Sequence, residues 1–103
     1  MRVVIVGVGE VGFNTAQMLS REGHRVVAVE QDEALVEHAS QQLDALVIQG
    51  NGASPKVLRE AGIEDSDLLV AVTSTDEVNI VACLAAKAQG VARTVARVHS
   101  SDY

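Results

Sequence analysis

The chain has 103 residues, 48% of them hydrophobic, with one Phe, one Tyr and no Trp. Its 8 Lys and Arg against 14 Asp and Glu give a formal net charge of −6, which argues against nucleic acid as a partner, as does the shortage of aromatic side chains for base stacking. A single cysteine, Cys83, excludes an internal disulfide, and no apolar run approaches the ~18 residues of a membrane span. These features predict one domain over residues 1–103, located in the cytoplasm and not inserted in a membrane.

The first thirty residues contain the pattern of a nucleotide-binding βαβ unit. An apolar strand over residues 3–6 leads into Gly7-Val8-Gly9-Glu10-Val11-Gly12, a helix over residues 10–21 follows, and a strand over residues 25–29 ends at Glu30. The first glycine permits the tight turn, the second lets the backbone approach a pyrophosphate, and the third lets the helix pack closely on the sheet. The phosphates then lie at the helix N-terminus, where free N–H groups and the helix dipole favour an anion.

Glu30 indicates which nucleotide to expect. It follows the glycines by ~20 residues, the separation at which an acidic residue accepts hydrogen bonds from ribose hydroxyls. A carboxylate repels the 2′-phosphate of NADP, although Arg25 lies nearby in the sequence. The pattern predicts NAD or NADH as the ligand; the alternative is that the glycines only form a tight turn between strand and helix.

The rest of the chain alternates between helix and strand. Helices are predicted over residues 32–42, capped by Asp32, over 55–61, starting at Pro55, and over 76–88; strands are predicted over 45–48, 67–72 and 94–98. Short connections and the right-handed crossover rule then predict an α/β fold. Its expected form is a Rossmann-like doubly wound parallel sheet with strand order 3-2-1-4-5 and helices on both faces.

Loops from four parts of the chain converge at the carboxyl ends of these strands, where such sheets bind ligands. The candidate cofactor-binding residues in these loops are Gly7, Val8, Gly9, Glu10, Val11, Gly12, Glu30, Gln31, Asn51, Gly52, Ala53, Thr73 and Ser74. Arg97, near the end of the last strand, either faces the same crevice as an anion partner or lies on an exposed sheet edge.

Two of these loops have a second interpretation. Asn51 offers the donor and acceptor that suit an adenine edge, but an Asn-Gly pair also forms turns for backbone reasons alone. Thr73 and Ser74 carry hydroxyl and N–H groups that suit a phosphate or the second ribose, while capping of the next helix is the competing role.

No catalytic or metal site is predicted. The sequence shows no Ser-His-Asp, Cys-His or paired-carboxylate arrangement, and His24, His38 and His99 are not spaced as metal ligands. Glu10 is interpreted as a conformational or subunit-contact residue rather than a base. Binding without chemistry is therefore predicted; the alternative is the cofactor-binding domain of an NAD-dependent oxidoreductase whose catalytic part is absent.

Several segments resemble one known family. They are VVIVGVGEVG over residues 3–12, VLREAGI over 57–63, LVAVTSTDEVN over 69–79, VARV over 95–98 and SDY over 101–103. Together they resemble the nucleotide-binding regulatory domain of Trk-type and Ktr-type potassium-uptake systems, also called the KTN or RCK N-terminal domain. The likeness covers essentially the whole chain and is closest to the Trk type.

The resemblance implies a specific function. Residues 7–11, Glu30, Thr73, Ser74 and Arg97 would contact NAD or NADH, and ATP or ADP would compete for the same site. A homodimer, or a ring of dimers, would transmit ligand-dependent changes to a membrane-embedded potassium transporter subunit, which places the domain at the inner face of the cell membrane. Family regulators usually continue beyond this domain, so the chain is expected to be a fragment of a longer protein.

The sequence departs from the family pattern at three positions. Asn51 and Glu30 stand where Asp is common, which weakens the prediction for the adenosine contacts. Glu10 stands where Ktr-type members often have an Arg that meets the γ-phosphate of a nucleotide. Glu10 therefore indicates the Trk type and leaves the preference between NADH and ATP open.

Overall fold

A computed structural model of the chain describes residues 1–99, so the SDY segment at 101–103 lies outside the described residues. The elements, in chain order, are β1 (Arg2–Val6), α1 (Glu10–Arg21), β2 (Arg25–Glu30), α2 (Glu33–Gln42), β3 (Leu46–Gln49), α3 (Pro55–Glu60), a 3₁₀ turn (Ile63–Asp65), β4 (Leu68–Ala71), α4 (Asp76–Ala88) and β5 (Arg93–Ala96). Strand and helix alternate as the hydrophobic pattern predicts.

The five strands form one parallel sheet in the order β3-β2-β1-β4-β5. This confirms the predicted fold class and strand order. The order reverses between β1 and β4, because the chain adds strands outward on one side and then crosses to the other. The first apolar strand thus becomes the centre of the sheet, and Val3 to Val6 are each at most 1% exposed.

The core consists of two layers, one on each face of the sheet. Val3 and Ile5 pack with Ala16 of α1 and Ala39 of α2, whereas Val4 and Val6 pack on the opposite face with residues of α3 and α4. Alternate residues of β1 therefore enter opposite layers, as the two-residue period of a strand requires. Burial on both faces explains why this strand is a continuous run of β-branched residues.

The structure corrects several details of the sequence prediction. The last strand ends at Ala96, two residues before the predicted end, because its partner β4 ends at Ala71, opposite Ala96. The 3₁₀ turn at Ile63–Asp65 was not predicted, since three residues are too few to show a period. The apolar residues Val11, Ala16, Met18 and Leu19 recur at helical spacing on α1, but Val11 and Met18 are exposed, and the buried residues are Gly12 and Ala16.

None of the helices within residues 1–99 has the length and apolar character needed to cross a membrane.

Candidate functional site

A cleft of about 440 Å³ opens at the carboxyl ends of the strands. Its lining includes residues that follow β1, β2, β4 and β5, on both sides of the point where the strand order reverses. These residues are Gly7, Gly9, Glu10, Val11, Glu30, Asp32, Leu35, Val72, Thr73, Ser74 and Arg97. Arg97 therefore faces the crevice, which decides between the two positions that the sequence left open.

Two of the glycines hold the loop closely against its neighbours. Gly7 has a φ of 99°, a conformation that L side chains rarely adopt, and its N–H donates to the carbonyl of Val29 at 2.8 Å. A Cβ added at Gly12 would overlap the carbonyl oxygen of Gly7. The predicted role of Gly12 in close packing of the helix is thus visible in the contacts of α1 with the loop.

Gly9 is different because it borders open space. A Cβ added there would meet no atom within 4 Å, and its φ of −66° is accessible to any residue. Gly9 precedes α1 and has no side chain to cap it, and the first helical hydrogen bond runs from Phe13 N to Gly9 O at 2.8 Å. The N–H groups of residues 10–12, which come before Phe13, therefore have no acceptor within the helix, and they carry the partial positive charge of its N-terminus.

The carboxylate of Glu30 accepts three backbone hydrogen bonds. Oε1 accepts from the N–H of Val8 at 2.9 Å, and Oε2 accepts from the N–H groups of Gln31 at 2.8 Å and Asp32 at 2.9 Å. A carboxylate has about four acceptor positions, so one remains for a ligand hydroxyl. Glu30 thereby fixes the glycine loop to the end of β2 and still presents an oxygen to the cleft.

Arg25, which the sequence left as a candidate partner of a 2′-phosphate, lies far from Glu30. It is the first residue of β2 and Glu30 is the last. Five steps along a strand, at about 3.3 Å each, separate the two residues by ~16 Å. Arg25 therefore does not offset the charge of Glu30.

Thr73, Asn79 and Arg97 form a hydrogen-bonded network on the other side of the cleft. Asn79, on α4, is fully buried. Its Oδ1 accepts from the N–H of Thr73 at 2.9 Å and from the hydroxyl of Thr73 at 2.6 Å. Its Nδ2 donates to the carbonyl of Thr73 at 3.0 Å and to that of Arg97 at 2.9 Å. Arg97 Nη2 also donates to the carbonyl of Thr73, at 3.1 Å.

Sequence reasoning assigned no role to Asn79, although the pattern of α4 contains a signal for it. Asn79, Ala82 and Ala86 are the buried residues of this helix, at the spacing of one helical face. A lone amide on an otherwise apolar face must find hydrogen-bond partners in the core. The sequence identifies the need for partners but not which groups supply them.

Six of the predicted residues do not line the cleft, namely Val8, Gly12, Gln31, Asn51, Gly52 and Ala53. Asn51 Oδ1 accepts from the N–H of Ala53 at 2.9 Å, which supports the turn interpretation of the Asn-Gly pair. Gly52 is buried, and a Cβ there would overlap the side chain of Val6. Three lining residues were missed: Leu35, Val72 and Asp32, whose Oδ1 caps α2 by accepting from the N–H of Leu35 at 3.1 Å.

The charges around the cleft are unevenly distributed. Three carboxylates, those of Glu10, Glu30 and Asp32, line it together with one guanidinium, that of Arg97, so the formal sum is 1 − 3 = −2. Within residues 1–99, no three His, Cys, Asp or Glu side chains are grouped as metal ligands. An anion in this cleft would therefore depend on Arg97 and the backbone N–H groups of α1.

Cys83 lies on α4 and is not among the residues lining the cleft. Partial burial raises the pKa of its thiol, and a hydrogen bond with Thr94 opposes this shift. A raised pKa reduces the thiolate fraction at neutral pH, so the thiol is expected to be a weak nucleophile.

Comparison with known proteins identifies the family. The model of the TrkA-N domain matches residues 3–103. The chain belongs to the TrkA-N domain family. It is 42% identical over its whole length to a Trk system potassium uptake protein TrkA homolog of Methanothermobacter thermautotrophicus, and 45% identical to one of Archaeoglobus fulgidus. The resemblance seen in the sequence motifs is thereby confirmed. The chain covers 48% of the first relative and 23% of the second, so it spans half of their length or less.

Solved structures show that this TrkA-N fold is shared with nucleotide-binding proteins. The NAD(P)-binding domain of an exopolyphosphatase-related protein from Archaeoglobus fulgidus has a TM-score of 0.82 at 20% identity, covering 97% of this chain and 74% of its own. The Kef CTD of Shewanella denitrificans in AMP-bound form has a TM-score of 0.77 at 22% identity, with coverages of 92% and 57%. The GsuK channel bound to NAD has a TM-score of 0.74 at 16% identity, with coverages of 91% and 21%.

Proposed function

We propose that this TrkA-N domain is a nucleotide sensor that binds NAD or NADH and regulates a potassium-uptake system. One observation carries the proposal. The uncapped N-terminus of α1, the open face of Gly9 and the guanidinium of Arg97 meet in one cleft at the reversal of strand order. Backbone N–H groups and a cation around open space form a site for a phosphate-bearing ligand.

The polar groups at the cleft fit the parts of a dinucleotide. The diphosphate would lie over Gly9 and the first N–H groups of α1, where only a residue without a side chain leaves room. Within residues 1–99, Arg97 is the only cation among the residues that line the cleft, and its guanidinium would pair with the phosphates. The remaining acceptor position of Glu30 would bind a hydroxyl of the adenosine ribose, and the exposed Ser74, on the other side of the cleft, would contact the second ribose.

The charges of the cleft favour NAD and NADH over ATP. ATP carries about twice the negative charge of NADH, and a cleft with a formal sum of −2 penalises the additional charge. NADP is disfavoured for a related reason, because its 2′-phosphate would lie beside Glu30 and Arg25 is at the opposite end of the strand. ATP and ADP are expected to compete for the same site with lower affinity.

The regulatory role is supported by the relatives, which are named for Trk potassium uptake rather than for an enzymatic reaction. The chain would be the nucleotide-binding domain of a longer cytoplasmic regulator that assembles as a homodimer or ring. It would act on a membrane potassium transporter subunit at the inner face of the membrane. A ligand can shift such an assembly only by its difference in affinity for two states. Regulation would therefore require that NADH and NAD, or nucleotide and no nucleotide, bind these states unequally.

An oxidoreductase cofactor domain is the alternative, since a Rossmann-like sheet with a glycine loop also holds the NAD of dehydrogenases. A dehydrogenase needs a substrate pocket and a proton donor. Any coding sequence found beyond residue 103 would separate the two functions. A catalytic domain there would favour the enzyme, whereas a second nucleotide motif or a small regulatory domain would favour the sensor.

Calorimetric titration of the purified protein with NADH, NAD, ATP and ADP tests the site. NADH or NAD is expected to bind more tightly than ATP, and Gly9→Asp is expected to abolish binding, because a carboxylate would occupy the diphosphate position. The free energy of unfolding of Gly9→Asp should stay near that of the wild type, since the added side chain enters open space. Absence of binding by all four nucleotides at millimolar concentration, or unchanged affinity in Gly9→Asp, would overturn the proposed site.

A further inference from the structure

Asn79 does not line the cleft, yet it connects Thr73 and Arg97, two of the residues that line it on the β4 and β5 side. Its side-chain amide is fully buried and makes four hydrogen bonds, two as acceptor and two as donor. These four bonds use the whole capacity of an amide. The orientation of the amide is fixed, since a flipped amide would place its NH₂ against the N–H of Thr73 and its oxygen against two carbonyls.

The N–H, hydroxyl and carbonyl groups of Thr73 all form hydrogen bonds within the protein. Its N–H and hydroxyl both donate to Asn79 Oδ1. Its carbonyl accepts from Asn79 Nδ2 and from Arg97 Nη2, which uses both lone pairs. Thr73 therefore has no spare donor for a phosphate, so it acts as part of the framework. The groups on this side that remain for a ligand belong to Arg97 and Ser74.

Arg97 is held at both of its ends by this framework. Its backbone carbonyl accepts from Asn79 Nδ2, and its guanidinium donates to the carbonyl of Thr73, which Asn79 also holds. Arginine has several rotatable bonds, and the rotamer entropy of a free side chain opposes any single arrangement. A guanidinium already fixed at the cleft loses less of that entropy when a phosphate binds.

We propose that Asn79 is a positioning residue for nucleotide binding, which fixes the guanidinium of Arg97 at the phosphate position without touching the ligand. The inference rests on the proposed nucleotide site and names a determinant of affinity within it. It predicts that Asn79 influences nucleotide affinity only by fixing the position of Arg97. Removing Asn79 should therefore matter only when Arg97 is present.

A double-mutant cycle for NADH binding tests this dependence. Asn79→Ser keeps a small polar side chain but cannot reach all four partners, and it should raise the Kd about tenfold, equivalent to ~1.4 kcal/mol. In an Arg97→Met background, which keeps the aliphatic stem, the same change should raise the Kd by less than about twofold. Leu58→Ala, a buried residue of α3, is the control for lost stability and should leave the Kd unchanged.

The ligand-free protein supplies a second measurement, the NMR signal of the Arg97 Nε–H group. In the wild type and in Leu58→Ala this buried N–H should give a resolved signal that exchanges slowly with solvent. In Asn79→Ser, or in Asn79→Ala if the serine variant does not fold, the signal should be averaged or exchange fast. Because no nucleotide is present, this measurement tests the anchoring of Arg97 independently of binding.

The outcomes separate the two proposals. Equal losses of affinity from Asn79→Ser in both backgrounds, or an unchanged Nε–H signal, would overturn the positioning role and leave the nucleotide site standing. A similar loss in Leu58→Ala would show that general destabilisation is responsible, which also overturns it. Failure of the wild type to bind NADH would overturn the proposed function and, with it, the role of Asn79 in binding.

Discussion

The two sides of the cleft are built by different means. On the glycine side, formed by residues 7–12 and Glu30, missing side chains create space and one carboxylate holds three backbone N–H groups. On the amide side, formed by Thr73, Asn79 and Arg97, a buried side chain joins the ends of two strands. The first side depends on backbone conformation, and its glycines lie within six consecutive residues, although Glu30 bonds the N–H of Val8 from 22 residues away. The second depends on the buried amide of Asn79 and on Arg97, which is 18 residues from Asn79 and 24 from Thr73 in the chain.

Within the glycine side, we predict that substitution of Gly12 by alanine lowers the stability of the protein, whereas the same substitution at Gly9 lowers only its affinity for nucleotide. Gly12→Ala should destabilise the protein by at least about 3 kcal/mol, because the new methyl group would overlap the backbone of Gly7 and α1 would have to move. Gly9→Ala should change stability by less than about 0.5 kcal/mol, since its methyl group enters open space. Urea denaturation of both variants measures these free energies.

Titration with NADH measures the effect of Gly9→Ala on affinity. Gly9→Ala should lose at least about tenfold in affinity while remaining folded, because its methyl group occupies space that the diphosphate needs. Equal stabilities of the two variants would show that the glycine side does not divide into a packing residue and a ligand-facing residue. Both variants make the same Gly→Ala change at positions three residues apart, so any difference between them comes from the local geometry of each glycine.

The same difference explains what the sequence could predict. The fold followed from alternating apolar runs, and the glycine side followed from residues whose spacing alone implies their geometry. Asn79 could be placed on the buried face of α4, but its partners could not be named, because Arg97 approaches it only once β5 has paired with β4. Asn51 and Gly52 were ambiguous because a ligand loop and a self-contained turn use the same residues. Only the bond from Ala53 N to Asn51 Oδ1 distinguished the two.

Glu30→Gln tests whether the glycine side is also held by its carboxylate. An amide keeps one acceptor oxygen and places an NH₂ group against at least one of the three N–H donors. Loss of charge-assisted bonds should lower the free energy of unfolding by about 1–2 kcal/mol. The preference for NADH over NADPH should narrow, because the repulsion of the 2′-phosphate is removed.

Urea denaturation and parallel titrations with NADH and NADPH measure both effects. Asp32→Asn is a suitable comparison, because it also removes a carboxylate that lines the cleft but one that caps α2 rather than holding the loop. If the preference for NADH over NADPH stayed unchanged in Glu30→Gln but narrowed in Asp32→Asn, the prediction would be contradicted. Asp32, rather than Glu30, would then be the carboxylate beside the ribose.

The smallest expected effect concerns Glu10, which lines the cleft on the glycine side and is exposed. Glu10→Arg should leave stability within about 0.5 kcal/mol of the wild type, as expected for a surface residue. It should improve the affinity for ATP relative to NADH by about threefold to tenfold, since it changes the formal sum of the cleft from −2 to 0 and ATP carries the larger charge.

Glu60→Arg provides the matched control, because it changes the net charge of the protein equally but lies on α3, outside the cleft lining. If the cleft determines the preference, Glu60→Arg should leave the ratio of ATP to NADH affinity unchanged. The effect of Glu10→Arg should also weaken as salt rises, because exposed charges are screened within about 10 Å at 0.1 M. Equal shifts in both variants would mean that the net charge of the protein, rather than the position of Glu10 in the lining of the cleft, determines nucleotide preference.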